Sequence, residues 1–194
     1  MLKQDDLAAI TKVAVPSIRH MQAHSYTPWD DAEFEAQKHR RYNTAHALAL
    51  MVANMLRMMG LSLPMACKVV NNQFHVIGNF LDKIEAGEDC PPLMIARIGY
   101  LEEDSVVGLR PMTHFNVGAG TEEEVFAEFQ KLFFSVGKTE KSDTRNRTMR
   151  QVSGPFCSIV SLPEAYRSLC LSAKAAGFVV HGRDTARIED DKAE

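Results

Sequence analysis

The chain is poor in the features that would place it quickly. It has four cysteines in 194 residues, Cys67, Cys90, Cys157 and Cys170, and none forms a CxxC pair. Scattered single cysteines do not build a disulfide framework or a clustered thiolate site, and they read as reduced, buried small hydrophobes. There is one tryptophan and no internal repeat. The most apolar stretch, residues 45–59, is broken by His46, Asn54 and Arg57, so it is too short and too polar to span a bilayer. The first residues carry no apolar run and no cleavage pattern, which leads us to expect a cytoplasmic protein. Walker loops, GxSxG and HExxH are missing, and no catalysis, metal or cofactor is expected. Charge of one sign is lacking too: the formal net charge is −3. That excludes a protein that coats nucleic acid through a broad basic field, so any nucleic-acid contact must come from a local motif.

The rest of the composition is that of an ordinary globular protein, 45% hydrophobic and 24% charged. Apolar residues at helical spacing (Leu2, Leu7, Ile10, Val13) mark a first helix, with Asp5 and Asp6 in its opening turn. A second short helix over 15–21 has Pro16 near its start. A third, capped by Thr44, runs to Met59 with Ala45, Leu48, Val52 and Leu56 on one face, and Gly60 ends it. Ser62 caps a fourth helix over 63–70, and Phe74, Ile77, Leu81 and Ile84 mark a fifth. Beyond Pro91-Pro92 the pattern changes to strands over 93–101, 156–162 and 178–180, with helices over 122–134 and 163–176. The fold class expected is α+β: a mostly helical winged helix-turn-helix domain over 1–72, a connecting helix and linker over 73–90, a small α+β domain over 91–182, and a disordered tail over 183–194.

The chemistry is carried by residues 7–19. A helix-turn-helix needs a small residue in the middle of its first helix, which Ala8 or Ala9 provides, and an apolar residue in or after the turn, which Val13 provides. It also needs an apolar residue on the inner side of the second helix, here Ile18. Ser17, Arg19 and His20 then face outward, where side chains of such a helix reach base edges and phosphates in the major groove.

Leu7-Ala8, Val13 and Ile18-Arg19, followed by Arg40-Arg41-Tyr42 and then Gly60-Leu61-Ser62-Leu63, resemble in order and spacing the N-terminal domain of the MerR family of regulators. The resemblance covers residues 2–72. It implies a sequence-specific transcriptional regulator that reads an operator in double-stranded DNA as a homodimer. Ser17, Arg19 and His20 would act from the recognition helix, and Lys38, Arg40 and Arg41 would hold the backbone. Tyr42 would pack or touch phosphate. Lys12 stands where the family has a turn glycine; a positive φ there would cost about 1 kcal/mol. Members of the family continue into a long dimerisation helix, whereas Gly87 and Pro91-Pro92 interrupt it here.

Other readings stay open at this level. Residues 1–72 hold eight Lys/Arg against six Asp/Glu, with Asp30, Asp31, Glu33 and Glu35 in the wing. That balance also suits a protein-interaction module that keeps the fold without touching DNA. Acids set apart from Arg19 would favour the regulator. The C-terminal half would serve dimerisation, an effector or a protein partner. His20 and His24 have metal-ligand spacing, but two exposed histidines are the plainer reading. Residues 138–150 are net basic and read as a solvated loop or a grip on phosphate, and Gly118-Ala119-Gly120 reads as a turn before a helix capped by Thr121.

Overall fold

A computed structural model describes residues 1–34, 37, 39–88, 93–104, 108–119, 123–124, 127, 150–151 and 156–188. It is α+β and mostly helical. Two compact units emerge, one formed by residues 1–90 with 162–194 and the other by residues 91–161. This differs from the boundaries read from the sequence: the stretch expected to complete a domain over 91–182 belongs, from Leu162 onward, with the N-terminal ninety residues.

The first unit is built round α3 (Thr44–Met58). Every residue from Thr44 to Ala53 is buried. Alanines at 45, 47, 49 and 53 keep the helix slim, so neighbours close in from several sides while Leu48, Val52 and Leu56 fill the centre. Packed on it are α1 (Gln4–Thr11), α4 (Leu63–Asn72), α5 (Phe74–Ala86) and a C-terminal helix, α6 (Leu162–Ala175). The amphipathic pattern foretold α1, α3, α4 and α5, and Gly60 (φ +94°) does end α3. Asn43, not Thr44, is the N-cap: its Oδ1 accepts from the His46 N–H at 3.1 Å.

The Thr44 hydroxyl has a different role. It lies 2.8 Å from the Arg183 carbonyl oxygen and 2.8 Å from the Thr185 hydroxyl. Those residues belong to a hairpin of β5 (Phe178–His181) and β6 (Asp184–Arg187). Its two-residue turn has positive φ only at its first position, Gly182 (φ +52°), as a type II′ hairpin requires, and a Cβ there would sit 2.7 Å from the Glu85 Cβ. Arg183 grips the Asp82 carboxylate of α5 with two N–H groups, and the Gly182 N–H donates to the Tyr166 hydroxyl at 3.1 Å. The tail expected to be disordered from residue 183 is therefore ordered through Ile188. It is charged in composition, but non-local partners hold it.

The second unit contains an antiparallel sheet centred on β1 (Leu93–Asp104). β2 (Gly108–Ala119) pairs with it along its full length, from Leu93 opposite Ala119 to Asp104 opposite Gly108. On the other edge β4 (Phe156–Ser161) pairs with Met94–Gly99, and β3 (Arg150–Gln151) pairs with Glu102 and Glu103. β2 was not expected. Pro111 and two glycines mask its alternation of Leu109, Thr113, Phe115 and Val117, and at the edge of the described sheet it tolerates a proline. The strand expected over 178–180 is present as β5, and it pairs with β6 in a sheet of its own. Of the helix expected over 122–134, Glu123, Glu124 and Ala127 are helical and the remainder lies outside the described residues, as do residues 138–149 of the basic segment and the turn at Gly120-Thr121.

Candidate nucleic-acid interface

α1 ends at Thr11, whose hydroxyl donates back to the Leu7 carbonyl at 2.7 Å. Lys12 then turns the chain in the left-handed region (φ +59°, ψ +20°), and α2 (Val15–Ala23) starts after Ala14. Lysine does occupy a position that glycine would adopt without strain. Ile18 and Met21 are the buried residues of α2, while Arg19, His20, Ala23 and His24 are exposed and Ser17 is half-buried. The helix closes with Ser25 at φ +53°; the Tyr26 N–H bonds the Met21 carbonyl at 3.1 Å and the Ser25 N–H bonds Gln22 at 3.3 Å, a Schellman arrangement. The His20 and His24 ring centroids lie 4.4 Å apart. Among the described residues, no group of three or more His, Cys, Asp or Glu is placed to hold a metal ion.

The segment between α2 and α3 is less open than its polar composition suggests. Trp29 is 1% exposed and Phe34, in a short 3-10 helix over Asp31–Phe34, is 4% exposed. With Tyr42 and His46 they form an aromatic nest whose neighbouring ring centroids lie 5.3–6.5 Å apart. The Trp29 carbonyl accepts from the Thr27 hydroxyl (2.9 Å) and the Asn71 amide (3.1 Å), which ties the loop to α4. Among the described residues of this loop there is no strand pair. The one β-type contact is the bridge between Leu2 and Tyr42, with N–H to carbonyl distances of 2.7 and 2.9 Å.

This nest fixes the charges around it. Arg40 lies over the Phe34 ring at 5.3 Å and pairs with Asp31 at 2.6 Å. The His46 Nδ1 lies 2.6 Å from the Asn43 Oδ1 and 3.2 Å from the Asn43 backbone nitrogen, and its Nε2 faces Glu33 Oε2 at 3.3 Å. Burial pulls the His46 imidazole down to about 4, so it is neutral at pH 7. Burial, together with the nearby Asp30, holds the Glu33 carboxyl above its ordinary range. Tyr42 is buried, and its hydroxyl accepts from the Gln22 amide at 2.6 Å; burial outweighs that bond and raises the phenol.

Arg19, His20 and Arg41 are thus presented to solvent, Arg40 is engaged by Asp31, Tyr42 packs inside, and Lys38 lies outside the described residues. No protein-family model and no curated protein sequence matches this chain. Arg19, Arg41, Lys3, Lys12 and Arg57 have no ion pair among the described residues, whereas Asp31 and Glu33 face Arg40 and His46. Lys3 and Arg57 did not stand out from the sequence, and Lys12 did so only as the residue in place of a turn glycine; Lys3 and Lys12 cap the two ends of α1, and Arg57 lies far along the chain in α3. Cys67 is buried, and burial pushes its thiol up to about 12, so it is no nucleophile. Among the described residues no helix is long and apolar enough to cross a membrane.

Proposed function

We propose that the protein is a cytoplasmic, sequence-specific DNA-binding transcriptional regulator whose α1–turn–α2 unit is the helix-turn-helix of a winged domain, acting as a homodimer on a two-fold operator. The observation that carries this reading is the facing of α2. Ile18 and Met21 lock one side into the core, and Arg19 and His20 stand exposed on the other, with Arg19 free of any ion pair among the described residues. A short helix held rigidly from behind with an unpaired arginine in front suits insertion into a major groove, where arginine reads guanine through two hydrogen bonds. The arrangement of the acids supports DNA over a protein partner, since Asp31 and Glu33 are turned to partners of their own. Arg41 supplies a backbone contact, while Arg40 acts through Asp31 and Phe34 to hold the loop. The test is selection from a random duplex library by the wild type and by Arg19→Ala. A recovered palindromic site, with the variant weaker by about 1–3 kcal/mol and relaxed at one base pair, is expected. No enriched site at low salt would overturn the reading.

A further inference from the structure

We propose that α2 is flanked by two phosphate grips, Lys12 with Arg57 on one side and Lys3 with Arg41 on the other, which seat it between the two strands of a duplex. This rests on the DNA-binding reading above and names the part of the partner that each flank meets.

Two open depressions adjoin α2. One, of about 220 Å³, is lined by Lys12, Ser17, Asn54 and Arg57 over an apolar floor that includes Val13 and Leu50. The Arg57 Nε donates to the Asn54 Oδ1 at 3.1 Å, so a neutral partner orients the guanidinium and leaves its charge available. The other, of about 510 Å³, is lined among others by Lys3, Gln22, His39, Arg41, Tyr42 and Arg40, the last already held by Asp31 at 2.6 Å. Its base is tied by the Gln4–Gln22 bond (3.3 Å) and the Gln22–Tyr42 bond (2.6 Å), and Arg41 is anchored by its backbone N–H to Gln37 at 3.1 Å. Among the described residues no Asp or Glu lines either depression.

Their placement follows from helix geometry. At 3.6 residues per turn each step is about 100°. With Ile18 and Met21 marking the buried stripe, Ser17 and Gln22 fall on its two opposite flanks, and Arg19, His20 and Ala23 lie on the outer side. The depressions are reached by Ser17 and Gln22, so one cation pair stands on each flank of the outward face. A major groove about 12 Å wide walled by two phosphate strands matches a helix with cations on either side and a reading arginine between them. A single strand has no second wall to meet the second pair. Four placed cations also reconcile DNA binding with a net charge of −3, which offers no diffuse attraction.

The experiment titrates salt against affinity for the selected duplex and for a single strand of the same sequence. Wild type, Lys12→Gln/Arg57→Gln and Lys3→Gln/Arg41→Gln are compared, each checked by circular dichroism. Each neutralised phosphate contributes about 0.9 to the slope of log affinity against log salt, so each double variant should flatten it by about 1.8 with base preference unchanged. Between 50 and 200 mM salt that removes about a tenfold share of the affinity loss. An unchanged slope in either double variant of a wild type that binds the duplex would overturn the grips and leave the DNA-binding reading standing. So would preference for the single strand, or a changed base preference like that of Arg19→Ala. A wild type that binds no duplex overturns both.

Discussion

Lys12→Gly separates folding from function at one residue. The chain turns between α1 and α2 with Lys12 at φ +59°, a conformation in which an L side chain costs roughly 1–2 kcal/mol through crowding of Cβ against the carbonyl. Glycine avoids that crowding but frees the unfolded chain, which offsets about 0.4–1 kcal/mol. The net expectation is a gain of about 0.5–1 kcal/mol. For a chain of this size that raises the calorimetric Tm by roughly 1–4 °C. Lys12→Ala is the control, because it removes the same ammonium and keeps the strain, so its Tm should not rise. Both variants should lose one phosphate contact and flatten the salt slope by about 0.9. A stabilised protein with weakened DNA binding would mean that strain is tolerated there for the sake of the charge. If glycine melts no higher than alanine, the left-handed turn is not where the stability lies and the argument fails.

Two other predictions follow from buried polar groups. His46 has a folded-state pKa of about 4 against an ordinary 6.5, so between those values the unfolded chain binds more protons than the native one. Its contribution, roughly 3 kcal/mol, is whole above pH 6.5 and lost as pH falls toward 4. Urea titrations across pH 4–7 should show that slope, reduced where Glu33 takes up the imidazolium, and His46→Gln should flatten it; an equal slope in the variant would rule His46 out. Thr44→Val should leave the Arg183 carbonyl and Thr185 hydroxyl short of a partner, costing about 1–2 kcal/mol. Faster tryptic cleavage after Arg183 and Arg187 would mark the loosened hairpin, and an unaltered melt and digest would show that the hairpin is held elsewhere.

What the sequence discloses here is what repeats locally. Leu7 and Ile10 in α1, Ile18 in α2, and Leu48, Val52 and Leu56 in α3 all fall at helical spacing and are all buried. The outward facing of Arg19 and His20 follows from the same period. What stays hidden depends on partners far along the chain. Thr44 reads as a cap because nothing nearby discloses a carbonyl 139 residues away. The charged segment from Arg183 reads as a tail because its composition says nothing of Asp82 or Tyr166. His46 reads as a polar break in an apolar run, although it is 3% exposed among Trp29, Phe34 and Tyr42.

The same distinction explains why a weakly basic sequence is a poor guide to this surface. Counting charges over residues 1–72 treats every acid as equal, yet four of the six have a hydrogen-bond or ion-pair partner of their own. Asp6 accepts from the Lys3 N–H at 2.9 Å, Asp30 from the Ala32 N–H at 3.0 Å, Asp31 neutralises Arg40, and Glu33 faces His46. The cations next to α2 are left without such partners among the described residues. An ion pair closed within the loop contributes little field at a distance beyond the screening length of about 8–10 Å, whereas an unpaired arginine or lysine in an acid-free depression keeps its full charge for a phosphate a few ångströms away. The quantity that bears on DNA binding is therefore the unpaired charge beside α2, which is positive, and Asp31→Asn tests that directly. It should release Arg40 and leave the affinity of the Lys12–Arg57 flank untouched. A large gain in salt-dependent binding from that one change would show that Asp31 masks a phosphate contact, and no gain would leave Arg40 as a fixture of the loop.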